Sequence, residues 1–260
     1  MKVKLISFSN LPQNLISVAA RLCYSGGNVD SVIEKVTEEV AEKFVENLLE
    51  FGHESPIEHA SFTFAVEGVS RALLAQITRH RIASFSVQSQ RYVEEHNFSF
   101  VVPPKIEKNK KAKEIFLKFM EDSKKCYSSL MKILNEENKT NLMNAGVEEK
   151  RAEKDAVKLS SEDARFVLPN ACATKFIVTM NARSLLNFFK LRCCNRAQWE
   201  IRNLAYEMLK IVLRVAPAIF KNAGPSCVRG KCSEGKMSCK KMEDVHKKIE
   251  KIKCEIRSNG

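Results

Sequence analysis

No stretch of this chain approaches the ~18 to 20 consecutive apolar residues that a membrane helix needs, so no span is expected. An export signal is missing too: Asn10, Pro12, Gln13 and Asn14 interrupt the apolar N-terminus, and a cytoplasmic protein is the expectation. The nine cysteines are odd in number and lack the density of a disulfide scaffold, which points to reduced thiols. Most of the five residues Cys23, Cys126, Cys172, Cys193 and Cys194 read as small packing residues rather than nucleophiles. No two histidines stand four apart on a helix. His53 and His59 are separated by Pro56, so the usual zinc-binding helix is excluded and no metal is expected at a catalytic site. No internal repeat is visible. What the chain does have is positive charge, +12 in formal terms over 260 residues. Residues 229–260 hold ten Lys or Arg against five Asp or Glu, which leaves the body only moderately basic. Such a balance suits a partner rich in phosphate or carboxylate, either a nucleic acid or several anionic small molecules. Aromatic residues are not interleaved with the arginines as single-strand binders have them, so no nucleic-acid partner is expected.

Hydrophobic periodicity outlines the elements. Residues 1–8 read as a strand and Leu15–Tyr24 as a short helix. Val32, Val36, Val40, Phe44 and Leu48 recur at helical spacing, which predicts one helix from Asp30 or Ser31 to a stop at Gly52. Ser61–Glu67 alternates as a half-buried strand, and Ser70 is placed to cap a helix that ends near Arg79. Residues 82–90, with three serines and two glutamines, read as a loop, and Tyr92–Val102 as extended chain stopped by Pro103-Pro104. Two charged amphipathic helices are predicted over Lys105–Asn138 and Val147–Leu159, with Ser161-Glu162-Asp163 opening a separate helical turn that ends at Pro169. A strand over Ala171–Met180 and helices over Ala182–Leu191 and Ala197–Val215 follow. Strands and helices do not alternate regularly, which favours an α+β arrangement over a doubly wound sheet.

Chemistry gathers around residue 80. Arg79, His80, Arg81 and Arg91 fall within thirteen residues, so three guanidinium groups and an imidazole can meet in one small volume. Such a cluster repels itself unless an anion is present. Arginine grips phosphate through paired hydrogen bonds, and Ser84, Ser86 and Ser89 add neutral donors. The alternative is that these basic residues only complement the negative end of the preceding helix.

Arg79 to Arg91 reads Arg-His-Arg, seven residues, Ser, any residue, Arg. This resembles the signature of the flavin-dependent thymidylate synthases at every fixed position. The likeness extends to residues 52–59, 164–169, 181–185, Leu191-Arg192 and 197–200, and covers about residues 1–220. The resemblance implies an α+β fold, a mixed sheet packed with helices plus a helical subdomain. It places a catalytic domain at 1–222 and a basic cysteine-containing tail at 223–260. It also implies conversion of dUMP to dTMP, with methylenetetrahydrofolate as one-carbon donor, FAD as hydride carrier and NADPH as reductant, in a homotetramer. No protein nucleophile attacks the base in that scheme.

By position, Ser55, Arg79, His80, Arg81, Val87, Asn181, Arg183 and Asn187 resemble the FAD contacts. Gln76, Arg79, Val87, Gln88, Ser89, Gln90, Arg91, Arg165 and Arg192 resemble the dUMP set. The resemblance gives Arg192 the catalytic role, since a fixed positive charge beside the uracil ring favours loss of its imide proton. Two positions depart from the family pattern. Val87 stands where relatives often have Glu or Gln, and Arg196 where many have His, leaving a cation available to stack on a ring. In the tail, Cys227, Cys232, Cys239, Cys254 and His246 are zinc-ligand types at loose spacing, set against the simpler reading of a flexible or helical basic appendage, with a helical pattern over Met242–Ile256.

Overall fold

The computed structural model describes residues 1–258. From the N-terminus the elements are β1 (Lys2–Phe8), α1 (Pro12–Leu22), α2 (Val29–Glu34), α3 (Glu38–Glu50), β2 (Ser61–Ser70), α4 (Arg71–Ile77) and β3 (Ser84–Val87). They continue with α5 (Pro104–Glu107), α6 (Lys110–Asn144), α7 (Glu149–Ala164), β4 (Ala173–Asn181), α8 (Ala182–Arg192), α9 (Trp199–Val215), α10 (Pro217–Phe220) and α11 (Met242–Ser258). The strands form one sheet in the order β1-β2-β4-β3. Its hydrogen bonds make each neighbouring pair antiparallel: Ser9 N donates to Ser61 O at 3.0 Å, Ala182 N to Ala60 O at 2.8 Å, and Gln88 N to Lys175 O at 3.0 Å. With its helices this is the expected α+β arrangement, although the sheet is antiparallel and not mixed, because each pair of neighbouring strands runs in opposite directions.

Residues 1–66, 76–86 and those from 177 onward form one compact unit; residues 67–75 and 87–176 form another. In the first, the sheet face buries Phe62, which Phe220 meets edge-on at 5.4 Å between ring centres, and Phe220 in turn meets Phe189 at 5.9 Å. Each such ring, removed from water, contributes about 1.5–3 kcal/mol. Helix α9 alternates its buried Ile201, Leu204, Ala205, Met208, Leu209 and Val212 at helical spacing and packs on α8, α10 and α11. The tail therefore lies within this unit. The second unit is built on α6 and α7, an antiparallel helix pair whose seam holds Tyr127, Met131 and Ala164. With 35 residues, α6 is about 52 Å long.

Several expectations are corrected by local chemistry. The helix predicted from residue 30 to Gly52 is two helices, because Thr37 caps α3 by accepting the Val40 N–H at 3.4 Å and so breaks the ladder the valine spacing suggested. Its C-terminus does close at Gly52, which adopts φ +75° while His53 N donates back to Leu48 O at 2.8 Å. The serine-rich stretch read as a loop contains β3, since pairing with β4 satisfies its backbone whatever its propensity. Tyr92–Val102 is irregular apart from one bridge between Phe100 and Cys172. Pro103-Pro104 ends the extended stretch as expected and Pro104 starts α5, but the helix expected over Lys105–Asn138 is broken at Lys108 and Asn109, where Asn109 caps α6 by accepting the Ala112 N–H at 3.1 Å. Ser160 and Ser161 return their hydroxyls to Ala156 O and Val157 O, at 2.7 and 2.8 Å, so α7 runs on through them, and the separate turn before Pro169 is a short 3₁₀ helix over Arg165–Val167.

Candidate functional site

The first unit contains a cleft of about 840 Å³, within the range that admits cofactor-sized ligands. One wall comes from the chain just after α4, where Arg79, His80, Arg81 and Ile82 follow directly on the helix end. The opposite wall is α8, which presents Arg183, Asn187, Lys190 and Arg192. No loop separates β4 from this helix. Asn181 ends the strand and caps the helix, its Oδ1 accepting the Ser184 N–H at 2.8 Å, so the side-chain NH2 is the part left to face a ligand.

The cleft is strongly positive. Six cations line it against two carboxylates, Glu54 and Glu58. Both carboxylates are taken by Arg183, whose Nε lies 3.1 Å from Glu54 and whose Nη1 lies 2.5 Å from Glu58. These bonds, that to Glu58 first, hold the Arg183 pKa above its ordinary value. Arg79 and Arg81 have no acidic or hydrogen-bonding side-chain partner among the described residues. Two unpaired guanidinium groups beside further cations are what an anionic ligand would relieve.

His80 links the two walls. Its Nε2 accepts the Arg192 Nε–H at 3.2 Å, and its ring meets Phe188 edge-on at 5.1 Å. An accepting Nε2 carries no proton, so the neutral ring keeps its proton on Nδ1. Burial, and then the Arg192 charge, push the His80 pKa below the usual 6.5. Below pH 6.5 the unfolded chain takes up a proton that folded His80 refuses, so stability falls as pH drops through that value and the loss stops once the folded pKa is passed. Thermal unfolding of wild type and His80→Gln between pH 5 and 7.5 should therefore show the steeper acid-side decline in wild type; equal slopes would mean that His80 is not held neutral.

The second unit holds a separate set of arginines. Arg91 donates through both Nε and Nη2 to one carboxylate oxygen, Oε1, of Glu162 on α7, and Arg165 donates its Nε–H to the Glu162 carbonyl at 3.1 Å. Glu162 thus bridges both. Ser89 Oγ accepts the Arg91 N–H at 3.1 Å. Arg71 donates to Gln88 O at 2.9 Å, and burial lowers its pKa while Glu95 opposes the shift. The Glu95 carboxyl is itself pushed up by burial, with Arg71 acting against it.

The predicted cofactor set is thus largely gathered: Arg79, His80, Arg81, Asn181, Arg183 and Asn187 share one cleft with Arg192. Ser55 is next to lining Glu54 but is not on the wall, and Val87 ends β3 in the second unit. Of the predicted substrate set, Gln76, Arg79 and Arg192 belong to the first unit and Val87, Gln88, Ser89, Gln90, Arg91 and Arg165 to the second. Arg196 is engaged through one terminal nitrogen: its Nη1 donates to Met237 O at 2.5 Å and lies 3.6 Å from Glu234 of the tail. No three His, Cys, Asp or Glu side chains among the described residues are placed to hold one metal ion, and His246 instead bonds Cys227 O at 2.6 Å. Sequence reading missed Glu162, Arg71 and the tail residues Gly224, Pro225, Ser226 and Arg229 on the cleft wall. Only the basic character of the tail hinted at the last of these.

Fold and cleft together define an α+β protein with a strongly cationic cleft of cofactor size. Comparison with known proteins gives the family. The model of a family described as thymidylate synthase complementing protein matches residues 4–218. A flavin-dependent thymidylate synthase of Clostridium tetani is 51% identical over 95% of this chain and 96% of its own length. Proteins of the same name are 44% identical in Geobacter sulfurreducens, over 94% of this chain and 96% of theirs, and 38% identical in Pyrococcus furiosus, over 97% and 98%. The chain belongs to the thymidylate synthase complementing protein family and is an enzyme of the flavin-dependent thymidylate synthase class.

Proposed function

We propose that the chain converts dUMP to dTMP in the cytoplasm, with methylenetetrahydrofolate as one-carbon donor, FAD as bound cofactor and NADPH as reductant. The observation that carries the reading is the cleft in which unpaired Arg79 and Arg81 face Asn187, Arg183 and Arg192 in a member of this family. That donor set fits FAD: guanidinium groups for a pyrophosphate, and the amides of Asn181 and Asn187 for ring or ribose oxygens. When bound, the flavin supplies hydride.

The chain's own groups do the rest. Arg192 is held by the neutral His80 ring, so its charge is aimed without being cancelled by a carboxylate. Beside uracil this charge favours loss of the imide proton. Ser89, Arg91 and Arg165 offer donors for the nucleotide's phosphate and base edge, with Gln76, Gln88 and Gln90 as neutral partners and Val87 restricted to backbone contacts. In that arrangement Glu162 keeps Arg91 and Arg165 oriented until substrate takes over Arg91. No protein nucleophile is required, and Cys193 is unsuited to the part: it is fully buried, and desolvation pushes its thiol pKa up. A homotetramer completes the reading. Edge strand β1, with Ile6 and Phe8 exposed, offers apolar surface that a second copy would cover.

The test is anaerobic dTMP formation from dUMP by purified protein, with FAD, NADPH and methylenetetrahydrofolate each omitted in turn. Product that requires all three is the expected result. No product, from protein that also retains no flavin, would end this reading.

A further inference from the structure

The family match stops at residue 218, yet the cleft wall does not. Gly224, Pro225, Ser226 and Arg229 complete it. The chain is brought there by a particular set of contacts. Gly224 adopts φ +140°, and a Cβ on it would stand 3.1 Å from Val228 Cγ2 and 3.4 Å from Ile249 Cδ1, so only glycine lets the segment close onto α11. The His246 ring nitrogen donates to Cys227 O at 2.6 Å, and Ser233 N donates to Ser226 Oγ at 3.2 Å. Helix α11 is anchored in turn by buried Val245, Ile249 and Ile252, and by Lys248, whose Nζ lies 3.5 Å from the Tyr206 ring centre on α9. Such an anchored segment is a wall, not a trailing end.

On that wall Arg229 is oriented. Its Nε–H donates to Asn222 O at 2.8 Å, which fixes one edge of the guanidinium. Its two terminal nitrogens have no partner among the described residues. An exposed arginine pinned by its Nε, on a cleft that already holds unpaired Arg79 and Arg81, is placed to grip an anion with its outer edge.

We infer that Arg229 is a further binding residue of this cleft, taking a phosphate of the dinucleotide cofactor, and that α11 is the buttress that presents it. The inference rests on the flavin reading given above. Because Gln can still donate to Asn222 O but carries no charge, Arg229→Gln removes the phosphate contact with little change to the wall.

The experiment is equilibrium binding of FAD and of riboflavin, which has no phosphate, to flavin-free full-length protein, followed by flavin fluorescence. Wild type, Arg229→Gln and Arg229→Lys are compared, with thermal unfolding of each as a folding control. Loss of a charge-assisted bond should raise the FAD Kd of Arg229→Gln by about tenfold or more and leave its riboflavin Kd unchanged. Arg229→Lys, which keeps the charge but loses the Nε–H and the paired outer donors, should recover only part of the FAD affinity. An unchanged FAD Kd, or an equal loss for both ligands, overturns the role of Arg229 while the flavin reading stands. Wild type that binds neither ligand overturns both.

Discussion

Arg192→Ala is expected to keep its flavin and to lose turnover by about 10²- to 10³-fold, the usual cost of removing one group that stabilises developing charge. The reason lies in how Arg192 is held. Its Nε is engaged by the neutral His80 ring at 3.2 Å rather than by a carboxylate, so the charge is positioned but not neutralised. Lysine at this position would keep a charge and lose the Nε bond, so Arg192→Lys should recover only part of the rate. The same change has a spectroscopic signature. Arg192 is the second cause, after burial, of the low His80 pKa, so its removal should move the His80 titration upward in NMR spectra. If Arg192→Ala instead loses flavin as severely as it loses activity, the residue belongs to the cofactor contacts.

The other large effect concerns retention of the cofactor. The double variant Arg79→Ala/Arg81→Ala should be purified without flavin and bind added FAD at least about 100-fold more weakly, since each guanidinium bond to an anion is worth about 1.5–3 kcal/mol. Folding should be little affected, because neither side chain has a partner to abandon among the described residues and both are exposed. Raising salt should imitate the variant in part, since the cleft's field is carried by six cations. Flavin content by absorbance after gel filtration decides the matter: a normal yellow protein would show that these arginines do not hold the cofactor.

The elements with clean periodicity were legible from the chain alone. β2 announced itself by Phe62, Phe64 and Val66, and α9 by its apolar stripe. The failures share one cause, which is that side-chain hydrogen bonds and sheet partners are invisible to periodicity. Thr37 breaks a helix that the valines promise, and β3 is ordered by β4 against its own serine-rich composition. In the site, the motif led directly to Arg79, His80 and Arg81, and the resemblance to Asn181, Arg183 and Arg192. It could not reveal Glu162, whose importance comes from what it touches in space, 71 residues from Arg91. Nor could it bring Arg229 into view, because the tail's return to the cleft depends on a glycine conformation and on packing against a distant helix.

The direct join between β4 and α8 fixes more than the place where a helix begins. With Asn181 serving both elements, the register of a strand sets the rotational phase of every ligand-facing residue on the helix that follows. One residue inserted at that join would turn Arg183, Asn187 and Arg192 by about 100° around the helix axis at once. Such a junction has no slack to absorb length changes, so insertions and deletions are barred there while single substitutions remain open.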